Sequence, residues 1–368
     1  MKNKNKFLLV GPFPDPVSGV SLANKIVLEN LESSKSYKAD FVNTSYPVFE
    51  DAIGSFSIKK ALFFVKINVK ALKVFKNDII YITPGQTFFG IAKYTLFILL
   101  SSILKKEIII HVHGNYLGKQ YSELSGIKKK FFYFLISKFT KGIILSRSLK
   151  NNLSPFLKTE NIHVLNNFAQ DFLYYHTEEK SFRELKICYL SNLMEEKGIL
   201  QLLDALIILE EKKISYSAKI AGNIDENLKE IIRNKISSLK NTQYLGIVKG
   251  IEKRELLNWS TIFVLPTFYK MEGQPISILE AMATSNVIIS TKHAGIPDII
   301  KHEKNGFLME TNKVDELVEF FTYLDENRSK IKQISEYNKT YFINNFTVDI
   351  FESEFLKIIN NSAKTEHF

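Results

Sequence analysis

The strongest constraint on the fold of this 368-residue chain is an alternation, met twice, of short apolar runs with longer segments of helical spacing. In the first half, residues 7–10, 79–82, 107–112, 142–145 and 163–165 read as strands, while 20–31, 58–75, 88–104 and 127–139 read as helices. Strands separated by helices are joined by crossovers rather than hairpins, which gives a mostly parallel sheet with helices on both faces. A polar, irregular stretch at 166–184 interrupts the pattern. It then restarts with strands at 185–190, 216–221, 261–265 and 286–290 and helices at 198–211 and 228–239. The expected fold class is α/β, with two doubly wound domains, 1–166 and 167–346. A C-terminal helical segment, 347–368, is expected to pack back on the first domain. Ligands of such sheets sit at the carboxyl ends of the strands, so a cleft between the two units is the expected site.

Composition narrows the class further. Hydrophobic residues at 45% and charged residues at 24% describe an ordinary globular protein. The single cysteine, Cys188, excludes an intrachain disulfide and any cysteine framework for zinc, and fits a reducing compartment. The 49 basic and 39 acidic residues leave a net charge of +10, with basic runs at Lys105-Lys106 and Lys128-Lys129-Lys130. The latter run leads into the aromatic stretch 131–136, which suits an anionic membrane face; a solvated lysine surface is the plainer reading. No nucleic-acid module accompanies the charge. Residues 7–10 are too short for the apolar region of a signal peptide, and 94–104 falls short of the roughly 20 residues that cross a bilayer. The expected location is cytoplasmic, peripheral on a membrane.

Four stretches carry chemistry. Glu272 and Glu280 bracket a loop-to-helix seam, Glu272-Gly273-Gln274-Pro275-Ile276-Ser277, that follows the apolar strand 261–265. Free N–H groups at a helix start attract phosphate, and carboxylates accept hydrogen bonds from sugar hydroxyls. That pairing suits a nucleotide sugar. Ser191-Asn192 leads through 193–196 to Lys197-Gly198 at a second strand-to-helix turn, where a lysine is a point charge for a pyrophosphate. Gly19, at the entrance of helix 20–31, permits close approach of a phosphate, although the loop is no GxGxxG fingerprint. His113 ends strand 107–112 and is placed as a neutral hydrogen-bonder or proton handler. His111 shares its face, which could suggest a metal pair, but no acidic or cysteine partner follows, and a satisfied structural role for His111 remains open.

Taken in order, these pieces resemble the GT-B glycosyltransferases, specifically the retaining family 4 group that builds bacterial capsule and O-antigen polysaccharides. The carriers are Ser18-Gly19, His113-Gly114, Lys197-Gly198, Ala221-Gly222, Tyr244-Leu245-Gly246, the Glu272/Glu280 pair with Ala281-Met282, and Gly295-Ile296-Pro297-Asp298-Ile299 before Asn305-Gly306-Phe307. The resemblance implies an acceptor-binding first domain and a donor-binding second one. It gives the ribose hydroxyls to Glu280, the donor sugar's hydroxyls to Glu272, and contacts with sugar and phosphate to the segment Gly273, Gln274, Pro275, Ile276 and Ser277, through backbone N–H groups at every position but the proline. Lys197 and Gly19 would meet the pyrophosphate, His113 the donor sugar, and Ile247 and Val248 the base. Relatives carry Gly-Arg where this chain has Ser191-Asn192, so one cation of the leaving-group site is missing.

The reaction so implied moves a sugar from a nucleoside-diphosphate sugar, a UDP-sugar, to a glycan hydroxyl with retention. No Asp-x-Asp motif is present, and neither metal nor cofactor is expected. The partners implied are the nucleotide-sugar donor, a glycan or lipid-linked oligosaccharide acceptor and an anionic membrane surface, with no nucleic acid. Two alternatives fit the same residues: a sugar-nucleotide epimerase on this fold, and a non-catalytic glycosyltransferase partner.

Overall fold

A computed structural model describes residues 5–15, 17–46, 58–175 and 180–360. The expected domains also include 1–4, 16, 47–57, 176–179 and 361–368, which lie outside the described residues. The chain divides into two compact units. One is built from the residues up to Asn166 together with those from Phe351 onward, the other from Asn167 to Ile350.

The first unit holds a six-stranded sheet of β1 (Asn5–Gly11), β2 (Tyr37–Asn43), β3 (Ile79–Ile82), β4 (Glu107–Val112), β5 (Lys141–Ile144) and β6 (Ile162–Val164). Its order is β2-β1-β3-β4-β5-β6, parallel throughout. The inner strands are apolar on both faces, as in the Ile79-Ile80-Tyr81-Ile82 run, because helices cover both sides. The order reverses between β1 and β3, and the two strand ends meet closely there. A Cβ on Gly11 would fall 1.9 Å from Thr83 Oγ1, and Asn24 Nδ2 donates to both Thr83 Oγ1 (2.7 Å) and the Pro12 carbonyl (2.8 Å).

The expected helix at 88–104 is two helices, Phe88–Ala92 and Thr95–Ile103. The break falls at Tyr94, which is buried with its hydroxyl 3.0 Å from Thr44 Oγ1. The expected helix at 58–75 runs as Ile58–Val69 and tightens into a 3-10 helix, Lys70–Lys76. The final helix, Val348–Asn360, buries Phe351, Phe355, Ile358 and Ile359. Phe355 meets Tyr81 edge-on at 5.7 Å. Lys141 Nζ donates to the Ile358 carbonyl (2.7 Å) and lies 3.3 Å from Glu107 Oε1, a cation placed at a helix C-terminus.

The second unit repeats the plan with β7 (Leu185–Leu190), β8 (Tyr216–Ala221), β9 (Thr242–Tyr244), β10 (Ile262–Leu265), β11 (Val287–Thr291) and β12 (Gly306–Met309). The order is β12-β11-β10-β7-β8-β9, again parallel, with the reversal between β7 and β10. That reversal opens a crevice beyond the carboxyl ends of β7 and β10. Strands β2, β9 and β12 were not foreseen from sequence. β2 and β9 are edge strands with mixed polar and apolar residues, and β12 is four residues long and begins at a glycine.

Candidate active site

The loops leaving β7 and β10 hold nearly all the expected donor-site residues, and they are tied to each other. Gly198, in the left-handed region at φ +77°, ends the first loop and starts helix Ile199–Glu211. A Cβ there would come within 2.3 Å of the Pro266 carbonyl oxygen, so only glycine lets the two loops pass. Phe268 N donates to the Glu196 carbonyl (2.7 Å), which also lies 3.1 Å from the Thr267 hydroxyl. The Tyr189 hydroxyl, at the end of β7, donates to the carbonyls of Asn192 (3.1 Å) and Lys197 (3.3 Å) and shapes the intervening turn.

This frame brings Lys197 and Glu272 together. Lys197 Nζ lies 2.6 Å from Glu272 Oε2 and 4.8 Å from the centre of the Tyr269 ring. Thr267 Oγ1 lies 3.2 Å from the same carboxylate oxygen. The lysine side chain is 16% exposed and the glutamate side chain 9%, so the pair is largely withdrawn from water yet still reachable. Ser191 is half-buried, while Asn192 is exposed and its carboxamide has no hydrogen-bond partner among the described residues.

Past Glu272, the chain is locked from several sides. Asn167 N donates to Gln274 Oε1 (2.6 Å), and Asn167 Nδ2 donates to the Gln274 carbonyl (2.8 Å). Gly295 N donates to the Gly273 carbonyl (2.9 Å), and Thr291 Oγ1 to the Thr267 carbonyl (2.5 Å). Gln274 therefore holds the loop with its side chain, a positioning role that the sequence did not distinguish from ligand contact. Pro275 precedes helix Ile276–Ala283 and offers no side-chain cap, and its first turn holds no acid. The first-turn N–H groups of Ile276 and Ser277 thus form a dipole end suited to an anion.

Glu280 sits one turn further in, 5% exposed and ion-paired through Oε1 with Lys253 of helix Gly250–Trp259. Sequence reasoning missed Lys253, one lysine in a lysine-rich chain with no motif around it. Thr267, Tyr269 and Asn167 were missed for the same reason. Half-buried Val248 follows Gly246, which adopts φ +72°, while neighbouring Ile247 is 59% exposed.

Gly19 and His113 belong to the first unit. Gly19 opens helix Gly19–Ser33 and is exposed; Ser18 caps that helix through Ser21 N (3.1 Å), with Ser21 Oγ accepting from Ser18 N (2.7 Å). His113 follows β4 with its ring 3.9 Å from that of His111. Burial pushes its pKa down to about 3, so the ring is neutral. Its Nε2 is buried and meets no hydrogen-bond partner among the described residues, an orphan acceptor or donor at a strand end. His111 is fully buried, with Nδ1 2.5 Å from the Tyr81 hydroxyl. Burial, reinforced by His113, lowers its pKa well below the ordinary value. Among the described residues no group of three or more His, Cys, Asp or Glu side chains is placed to hold a metal ion.

The two parallel six-stranded sheets, each with one reversal of strand order, have the GT-B fold. Residues 176–341, in the second unit, match the family described as glycosyl transferases group 1. An uncharacterized glycosyltransferase of Methanocaldococcus jannaschii is 24% identical over 331 residues, 85% of this chain and 82% of that one. The amylovoran biosynthesis glycosyltransferase AmsK of Erwinia amylovora is 27% identical over 154 residues, 40% of this chain and 37% of its own. In fold, the chain is similar to Anabaena HepE in complex with UDP, with a TM-score of 0.75 at 15% identity over 97% of this chain and 100% of that one. HepE in complex with UDP-glucose gives 0.73 at 16% identity, over 96% and 99%.

Proposed function

We propose that this protein transfers a sugar from a UDP-sugar to a hydroxyl of a lipid-linked glycan during synthesis of a surface polysaccharide, with retention at the anomeric carbon and without a metal. The observation that carries the reading is the Lys197–Glu272 pair beside the uncapped start of helix Ile276–Ala283, with Glu280 one turn deeper. In such a transfer the sugar becomes cationic as the diphosphate leaves. Lys197 and the first-turn N–H groups answer the diphosphate charge in a site held by fixed hydrogen bonds, so little reorganisation is needed as charge develops.

Glu272 binds sugar hydroxyls rather than attacking carbon, because its Oε2 is already engaged by Lys197 and Thr267. A donor phosphate oxygen takes the acceptor proton. Glu280 receives the ribose hydroxyls and Val248 borders the base. Asn192 gives a neutral hydrogen bond where a cation is missing, weaker than a charge-assisted one. Lys253 is the added cation nearest the nucleotide end, through its bond to Glu280. The HepE complexes with UDP and UDP-glucose support the choice of nucleotide, and the amylovoran enzyme supports the polysaccharide setting.

The test is sugar transfer by the purified protein from labelled UDP-sugars to a lipid-linked acceptor, in EDTA and then with manganese. Retained transfer in EDTA is expected. Transfer abolished by the chelator and restored by manganese would contradict the metal-free mechanism, and free UDP released without any transfer would favour the epimerase.

A further inference from the structure

The first turns of helix Gly250–Trp259 have their polarity reversed. Ile251 is 62% exposed, whereas the side chain of Lys253, two residues on, is only 19% exposed. The common arrangement puts the apolar residue inward and the lysine in water. Lys253 is also the fourth residue of its helix, near the positive end of the helix dipole, where a cation is disfavoured. Helix stability therefore supplies no reason for an inward lysine here.

Its contacts supply one. Lys253 Nζ is ion-paired with Glu280 Oε1 and lies 6.0 Å over the ring of Phe172, in the 3-10 turn Asp171–Leu173. Glu280 is buried, and among the described residues its carboxylate has no other hydrogen-bond or ion-pair partner, which leaves Oε2 open as an acceptor. The two helices that carry the pair are fixed to each other. Asn286 is fully buried, and its Nδ2 donates to the carbonyl of Leu257 (3.0 Å) in the lysine's helix and to that of Ala281 (3.1 Å) in the glutamate's helix. Lys180 Nζ donates to the same Leu257 carbonyl (2.9 Å).

A buried ion pair is a poor source of stability, because removing two charges from water offsets most of their attraction. What this one provides is an ionised carboxylate held in place. Such a group accepts hydrogen bonds and donates none, and the bonds it accepts from hydroxyls are charge-assisted. Two vicinal hydroxyls, as on a ribose, are matching donors. Without the lysine, the cost of a buried unpaired charge is relieved by losing the charge or by turning toward water, and either change spoils the acceptor.

We propose that Lys253 is a positioning residue that holds the Glu280 carboxylate for the vicinal hydroxyls of the donor's ribose, so that the site distinguishes ribonucleotides from their deoxy analogues. The inference rests on the donor reading above and names what that site selects. The test is isothermal titration of UDP and of 2′,3′-dideoxyuridine diphosphate into wild type, Lys253→Met, Lys253→Gln, Lys253→Arg, Glu280→Gln and the double variant Lys253→Met/Glu280→Gln, each checked by a thermal melt. Wild type is expected to prefer UDP by about ten-fold or more. Lys253→Met and Lys253→Gln should bring the two ligands close to parity, chiefly by weakening UDP, and Lys253→Arg should keep most of the preference. In the Glu280→Gln background, loss of Lys253 should change the preference no further, because the lysine acts through the carboxylate. A folded Lys253→Met or Lys253→Gln variant that keeps the wild-type preference, or that loses affinity equally for both ligands, would overturn the proposal and leave the donor reading standing. So would equal binding of both ligands by wild type. Absence of UDP binding by folded wild type would overturn the donor reading, and this inference with it.

Discussion

Lys197 is both a charge for the leaving group and the partner of a buried carboxylate. Lys197→Ala is expected to lower kcat by about 10²–10³, the cost of removing one preorganised stabilising group, and to leave Glu272 uncompensated. Steady-state kinetics beside a thermal melt separates the two effects, and a variant with near wild-type kcat would remove Lys197 from the mechanism. His113 makes a different prediction. In the unfolded chain it protonates near 6.5, whereas in the fold burial holds it neutral down to about 3. The unfolded state therefore binds the extra proton first as pH falls. Stability is full above about pH 6.5 and declines towards pH 3, at up to about 1.4 kcal/mol per pH unit for this group. His111 adds in the same direction. Denaturation midpoints of wild type and His113→Asn measured from pH 7 to 4 should converge as pH falls; parallel curves would contradict the assignment. Glu272, Lys197 and His113 each stand beside a glycine at the end of a strand or its loop, and Glu280 lies on the helix that follows, so the sequence alone singles out all four. It does not single out Lys253, Thr267 and Tyr269, since their roles arise from contacts across loops that only the folded β7–β10 junction creates.

At the scale of elements, legibility followed burial. Strands β3, β4 and β11 lie inside their sheets and are apolar on both faces, a signal that survives in a single sequence. Edge strands β2 and β9 alternate weakly, and their pairing is decided by the neighbouring strand rather than by their own residues. The final helix was visible from its spacing alone, and its anchors, Phe355 on Tyr81 and Lys141 on the Ile358 carbonyl, are contacts made across hundreds of residues. Phe355 is completely buried. Phe355→Ala is expected to destabilise the first unit by about 3–5 kcal/mol, as a large cavity beside Tyr81. Chemical denaturation of the variant checks this, and a loss below about 1 kcal/mol would mean that the helix is not part of that core.

For the molecule as a whole, two parallel six-stranded sheets with reversed strand order each provide a crevice, and the second one carries the glutamate pair, the lysine and an uncapped helix start. The charge surplus was plain in the composition. The central claim is that the β7–β10 crevice binds the nucleotide of a sugar donor. Isothermal titration of UDP, GDP and ADP into the metal-free protein, wild type and Glu280→Ala, tests it most directly. UDP is expected to bind selectively, and loss of the carboxylate's hydrogen bonds to be worth roughly 1.5–3 kcal/mol, more than ten-fold in affinity, in a variant that still melts cooperatively. No heat with any of the three nucleotides, or equal affinity in the folded variant, would contradict the account.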